Sequence, residues 1–210
     1  GPEGSGKTTQ IAGLAQWLRA QGYRVTQTRE PGGTTIGDRI RQILMGMENG
    51  ALVPEAEILL FSASRAQHVR ERIQPALAEA QVVLCDRFAD STLAYQGYGH
   101  GLPMDSLRAI TDFATCGLSP DLTLLLDIDA EAGLQRRRAA ASQGAEWNRM
   151  DEYTLAFHRR VRAGYLALAD AEPQRWRVVD ATPPAEEVQA RLRETLATFL
   201  RDRASTQSPR

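Results

Sequence analysis

The stretch GPEGSGKTTQ (residues 1–10) decides the fold. Gly1 and Gly6 bracket four residues and Lys7-Thr8 follow at once, which is the spacing G-x-x-x-x-G-K-[ST] of a phosphate-binding loop, or P-loop. Gly1, Gly4 and Gly6 let the backbone turn so that successive N–H groups point inward at an anion, with Pro2, Glu3 and Ser5 between them. Lys7 adds a point charge for the β- and γ-phosphates, and the Thr8 hydroxyl can ligate the Mg²⁺ that a nucleotide carries. Behind Thr9 the apolar residues Ile11, Leu14, Ala15 and Leu18 recur at helical spacing, so the loop opens a helix whose positive end faces the same phosphates. A flexible Gly/Ser linker needs neither Lys-Thr at this offset nor that apolar series. Such a loop normally follows a buried central strand. A strand is therefore expected ahead of Gly1, outside the present sequence, with Gly1 an internal residue.

Composition narrows the class. The chain has 210 residues, 42% of them hydrophobic, enough for one sizeable core and one domain. Its formal net charge is −1, so no global basic field argues for nucleic acid or an anionic membrane as a partner. Cys85 and Cys116 lie in apolar contexts without metal-ligand spacing and read as buried free thiols of a reducing compartment. No apolar run approaches ~18 residues, and no signal sequence is visible. A cytoplasmic protein is expected.

Helix and strand signals alternate along the chain. Helices are predicted over 7–21, 36–46, 54–72, 90–97, 104–116, 130–139, 150–171 and 184–200. Strands are predicted over 23–28, 82–86, 121–129 and 176–180, with a loop at 29–34 and a polar loop at 140–149. Residues 1–203 form one domain, and a disordered tail is expected over 204–210. This alternation implies an α/β layer fold with a mainly parallel sheet. If the strand ahead of Gly1 is central, 82–86 and 121–127 will not pair with each other.

Two further constellations face the loop. In EILLFSASRAQHVRERI (57–73), Phe61, Arg65 and His68 cluster on one side of a helix, and Leu59, Ala63, Ala66 and Ile73 on the other. An aromatic ring four residues from a guanidinium can stack on a planar base while the arginine bonds an edge carbonyl. A packed Phe61 with a solvated Arg65 is the plainer alternative. DRFADSTLAYQGYG (86–99) starts at the C-terminal end of a strand, where α/β sheets bind ligands. Arg87 is placed there to clamp a phosphate, and Thr92, Tyr95 and Gln96 share one helical face suited to a base edge and a sugar.

GPEGSGKTT, TREPGGT, LLFSASRAQHV, DRFADSTLAYQG, SPDLTLLLD and VVDAT occur in this order and spacing in bacterial thymidylate kinases, and the chain resembles that family from Gly1 to about Leu200. The resemblance implies a Mg²⁺-dependent transfer of the γ-phosphate of ATP to dTMP, giving dTDP. It also implies a homodimer, a P-loop NTPase-like five-stranded parallel sheet with helices on both faces, and a lid at about 136–150. By the same resemblance Phe61 stacks on thymine, Arg65 bonds its carbonyl, and Thr92 and Gln96 serve its other edge. Tyr95 presses on the sugar. Arg87 and Arg41 hold the monophosphate, and Glu3 lies near the acceptor. Arg29 and Glu30 shape the pocket, and Asp180, Ala181 and Thr182 flank adenine. Thr8 and Asp86 are the metal candidates.

The lid must supply charge to the migrating phosphoryl group. Some members carry an arginine between the P-loop glycines, where this chain has Pro2, Glu3 and Ser5. The cation is then expected from the lid, from Arg149, or else from Arg136, Arg137 or Arg138; Arg138 and Arg149 are both expected to bind ATP. The resemblance places Arg149 in a DR-x-E pattern that reads NRMD here, so Asn148 and Asp151 replace the usual acidic pair. A kinase for another nucleoside monophosphate, or a silent P-loop binding module, are the alternative readings; a GTP switch would need an N-K-x-D reader, and none is found.

Overall fold

The computed structural model describes residues 1–207, without the side chains of residues 206 and 207. The order is α1 (Lys7–Ala20), β1 (Val25–Arg29), α2 (Thr35–Met45), α3 (Pro54–His68), α4 (Gln74–Ala78), β2 (Val82–Asp86), α5 (Ala89–Thr92), α6 (Met104–Thr115), β3 (Thr123–Asp127), α7 (Ala130–Ser142), α8 (Leu155–Ala171), β4 (Trp176–Asp180) and α9 (Ala185–Gln207). Wide π turns at Val69–Ile73 and Leu93–Gly99 join α3 to α4 and extend α5, and a short 3-10 turn covers Arg149–Glu152. The helix starts follow from local chemistry. Thr34 accepts from Gly37 N at 2.9 Å, Asp129 from Glu131 N at 3.0 Å, and Thr154 from Phe157 N at 3.2 Å, each satisfying an orphan N–H of the first turn. Pro54 opens α3, where its missing N–H costs nothing.

Both strand pairings are parallel: β1 with β2, bringing Arg29 opposite Asp86, and β3 with β4, bringing Asp127 opposite Asp180. Among the described residues no ladder joins β2 to β3, as the reading of 82–86 and 121–127 required. The P-loop starts between their C-terminal ends, since Gly1 lies against the Leu126 carbonyl and its own carbonyl accepts from Arg87 Nη1 at 3.4 Å.

Strand periodicity then divides the core. Leu125 faces a cluster with Ile58, Tyr95, Leu107, Phe157, Val161 and Trp176, whereas its neighbour Leu126 faces one with Leu14, Leu18, Val179, Val188 and Leu192. Helices α3, α6 and α8 therefore cover one face of the sheet, and α1 and α9 the other.

The differences from the sequence reading are local. Helix α7 runs to Ser142, into the expected loop, and α8 starts only at Leu155 because the Arg149–Glu152 turn intervenes. Helix α9 continues through Gln207, past the point where the tail was placed; residues 208–210 lie outside the described residues. Cys85 is half-buried and burial raises its pKa, but Cys116 is exposed, because it occupies the left-handed C-cap of α6.

Candidate active site

The P-loop is held by backbone packing. Gly4 has φ +69°, and a Cβ there would overlap the Gly133 carbonyl, while a Cβ on Gly133 would overlap the Glu3 carbonyl. The first turn of α7 thus sits directly on the loop. Neither position admits a side chain. Helix α1 begins after Gly6 with no side-chain cap, so its first N–H groups are free for an anion. Lys7 folds back on the loop, donating to Pro2 O at 2.7 Å and to Ser5 Oγ at 3.3 Å. Burial, then the Arg87 charge, lowers its pKa to about 8, with Arg137 adding in the same direction. Thr8 and Thr9 are exposed at the head of α1.

Thr8 Oγ1 donates to Asp86 Oδ2 at 3.1 Å, and the other carboxylate oxygen of Asp86 is buried with no partner. A hydroxyl beside a carboxylate with an orphan oxygen suits a hard cation that keeps water and phosphate as its remaining ligands. Both metal candidates are thereby brought together.

Glu3 links this loop to the acceptor side. Its Oε1 accepts from Arg87 Nη2 at 2.7 Å and from Tyr95 Oη at 2.7 Å. Burial opposes its ionisation, but the Arg87 and Lys7 charges outweigh it and hold the carboxyl well below the usual range. Arg87 also reaches Tyr95 Oη at 3.2 Å and Tyr165 Oη at 3.5 Å, and lies over the Tyr95 ring at 5.2 Å. It adopts φ +66° at the end of β2, a conformation disfavoured for a side chain of this size and found where geometry serves a site.

The candidate base-binding residues stand on a buried polar cluster. Arg65, 2% exposed, donates through Nε to Glu30 at 2.8 Å and through Nη1 to Thr92 Oγ1 at 3.1 Å. His68 bridges Glu30 Oε1 (3.1 Å) and Thr28 Oγ1 (2.6 Å). Glu30 is thus a buried anchor for Arg65. Phe61 is half-buried on the same face of α3. Tyr95 and Gln96 lie in the π turn after α5 and are 4% and 1% exposed. Arg41 lies near Pro31 O (3.5 Å) and the lid carboxylate Glu146 (3.9 Å), and Arg29 is exposed and paired with Asp38 at 3.1 Å. On the adenine side, Asp180 caps Thr182 N at 2.9 Å, and Arg136 donates to the carbonyls of Ala181 and Thr182 at 2.7 and 2.6 Å.

The lid departs from expectation. Arg149 is not brought to the P-loop: its guanidinium donates to Leu44 O at 3.1 Å, to Tyr153 Oη at 2.8 Å and to Glu57, and it is 6% exposed. The reason is Glu57, a fully buried carboxylate on α3 that needs a cation. Arg137 instead forms a fork to Asp151, with Nε–Oδ1 and Nη2–Oδ2 both 2.9 Å. The lid therefore keeps an ion pair between α7 and the NRMD turn, and Asn148 and Asp151 close a reciprocal capping box within that turn. Arg137 stands one helical turn beyond Gly133, on the face of α7 that rests on the P-loop. Arg138 is exposed and has no hydrogen-bond or ion-pair partner among the described residues.

Sequence reasoning missed Glu57, His158 and Tyr165. Glu57 precedes Phe61 by four residues, so the helical spacing that grouped Phe61, Arg65 and His68 also contained it. His158 is buried with Nε2 unpartnered near Glu3 and Asp151, and no local pattern marks it.

This geometry has known counterparts. The family model described as thymidylate kinase matches residues 1–192. A thymidylate kinase of Thermomicrobium roseum is 59% identical over 188 residues, covering 90% of this chain and 87% of that protein. One of Desulfovibrio desulfuricans is 50% identical, covering 97% and 95%. The crystal structure of thymidylate kinase from Ehrlichia chaffeensis superposes with a TM-score of 0.74 at 31% identity, covering 92% and 93% of the two chains. This chain belongs to the thymidylate kinase family.

Proposed function

We infer that the chain transfers the γ-phosphoryl group of ATP to dTMP, giving dTDP, with the residues above in the following roles. The observation that carries this reading is Glu3: a P-loop residue that shares Arg87 and Tyr95 with the acceptor pocket, so that donor and acceptor meet at one point. Residues Gly1 to Thr9 cradle the ATP phosphates, Lys7 supplying charge, and Arg136 and Asp180 to Thr182 border adenine. Arg87 and Arg41 receive the dTMP phosphate, for which Arg87 exchanges part of its contact with Glu3. Arg65, Thr92 and Gln96 read the base, Phe61 stacks on it, and Tyr95 backs the sugar.

Thr8 and Asp86 would hold Mg²⁺, which, when bound, screens the phosphate charges and fixes their orientation. For the lid, Arg137 meets the migrating group more directly than Arg149, since it need only trade Asp151 for a phosphate. Arg149 would first have to leave the buried Glu57. Arg138 is a solvated second cation at the ATP side.

A second copy of the chain fits an apolar face of α3 and α6. Leu59 and Phe113 are 59% and 86% exposed there, around a groove with Ala63, Ala66 and Ile110. This is the surface Leu59, Ala63 and Ala66 leave when Phe61, Arg65 and His68 turn inward. A homodimer in the cytoplasm is the proposed form, and no helix among the described residues is long and apolar enough to cross a membrane. Sedimentation of the parent and of Phe113→Glu tests it, a dimer becoming a monomer.

ADP release measured against dTMP, dUMP, dCMP, dGMP and AMP tests the reaction. Turnover is expected with dTMP foremost. Preference for another base, or no ADP release with any acceptor, would overturn it.

A further inference from the structure

Two polar atoms of the base pocket are left open, and they have opposite character. Arg65 uses Nε and Nη1 on Glu30 and Thr92, while Nη2 is neither bonded nor buried without a partner. Gln96 donates its Nε2 to Glu57 Oε1 at 2.7 Å, and its carbonyl oxygen is likewise unbonded and not sealed off. The pocket therefore offers one donor, from Arg65, and one acceptor, from Gln96. A pyrimidine edge with a carbonyl at C4 and an N–H at N3 matches that order. Cytosine, with an amino group at C4 and a bare N3, presents the reverse.

An arginine can only donate. A glutamine amide can turn either end outward, so the polarity of the pocket depends on what holds Gln96. Glu57 Oε1 faces Gln96 and His100 (3.5 Å), and Oε2 faces Arg149 and Tyr153 Oη (3.1 Å). An ionised carboxylate accepts and never donates. Burial opposes its charge, but bonds from His100 and Arg149 prevail and hold the pKa at about 2, so it remains acceptor-only at neutral pH.

We propose that Glu57 is a specificity-determining positioning residue: by accepting the Gln96 amide N–H it fixes the Gln96 carbonyl toward the base and so selects an acceptor base bearing N3–H over cytosine. This rests on the reading that Arg65 and Gln96 face the base. Arg149 and Tyr153 hold Glu57 in turn, which ties the lid arginine to base choice.

The test compares Glu57→Gln and Gln96→Leu with dTMP, dUMP and dCMP. A glutamine at 57 keeps an acceptor for Arg149 but can donate to Gln96 and let it turn over. Sites that hydrogen-bond a substrate group discriminate strongly against analogues lacking it, so the dTMP/dCMP ratio of kcat/KM should fall at least ~10-fold in Glu57→Gln. The dTMP/dUMP ratio should hold, because both bases carry the same edge, and the KM for ATP should not move. Equal loss for dTMP and dCMP would make Glu57 a structural residue and overturn the proposal. Gln96→Leu should raise the KM for dTMP; an unchanged KM would instead remove Gln96 from the base site, a failure of the pocket reading and distinguishable from the first. Should Glu57→Gln not fold, the parent enzyme decides. Its Gln96 side-chain amide protons, followed by ¹⁵N NMR with dTMP bound, should be protected from exchange, and rapid exchange overturns the assignment.

Discussion

The proposed base end and the proposed phosphate end of the site are both built from arginine–carboxylate pairs, but at different depths. At the base end the side chains of Arg65 and Glu30 are 2% and 3% exposed, and those of Arg149 and Glu57 are 7% and 0%. At the phosphate end Arg87 and Glu3 are 19% and 15% exposed, and Arg137 is 18% exposed over a buried Asp151. A sealed pair cannot trade its partner for a ligand without leaving a bare charge in the protein. A half-open pair can, since water and phosphate reach it. In the proposed reading, depth thus separates arginines that hold the pocket's shape from arginines that exchange onto a phosphate, irrespective of where they lie in the sequence. Arg149 belongs to the lid by position and to the base end by depth.

The largest effect should come from the open pair at the junction. Arg87→Ala removes the cation that holds Glu3 and, in the proposed reading, the dTMP phosphate, and arginines on a transferring phosphoryl group contribute on the order of 10³-fold or more. We expect a loss of that size in kcat/KM for dTMP, with the melting temperature nearly unchanged. A large fall in melting temperature would place Arg87 with the sealed pairs.

The two lid arginines then split. Arg137→Ala should lower kcat about 100-fold at a smaller cost in stability, since the buried Asp151 keeps the Asn148 N–H as a partner and, its pKa already raised by burial, can take up a proton. Arg149→Ala leaves Glu57 ionised and buried, so its main cost is stability, about 3–5 kcal/mol. Denaturant unfolding beside single-turnover rates separates them. A stable Arg149→Ala that has lost kcat would make Arg149 the transferring cation after all, by a lid movement that breaks the Glu57 contact.

Much of this was legible in the sequence and some was not, for physical reasons. The P-loop spacing and the strands 82–86 and 176–180 are local signals, and residues carried them unaided. The Phe61–Arg65–His68 face was legible because helix periodicity fixes which residues share a side. The fate of Arg149 was not, because it depends on Glu57, 92 residues away in the chain. Nor was the Arg137–Asp151 pair, which needs the α7 and NRMD segments to fold back on each other. A carboxylate's partner is a tertiary fact, and the pattern N-R-M-D alone does not state it.

At the base itself the effect should be moderate. Phe61→Ala removes the half-buried ring proposed to stack on the base, and such stacking is worth about 1–3 kcal/mol. The KM for dTMP should rise roughly 10-fold while that for ATP stays within about twofold. Equal damage to both substrates would mean that the ring supports α3 and not the base.

The smallest effect, and the finest test of depth, concerns Lys7. Its pKa lies at about 8 because burial and the neighbouring Arg87 both disfavour its charge. ATP phosphates reverse that balance and raise it. The sign for binding follows: near pH 8.5 the free enzyme has lost part of a proton from Lys7, and ATP binding takes it back. Calorimetry in buffers of different ionisation enthalpy should therefore show uptake of up to one proton at pH 8.5, fading toward pH 6.5, and none in Lys7→Met. The sign for folding is opposite to that of a salt-bridged lysine. Because the folded pKa is the lower one, the unfolded chain binds more protons between about pH 8 and pH 10.5, so this residue makes the ligand-free protein gain stability as pH rises through that window. Proton release on ATP binding, or a loss of stability traceable to Lys7 across the same window, would show that the lysine already sits in a site that favours its charge, and the phosphate end would then be no more exchangeable than the base end.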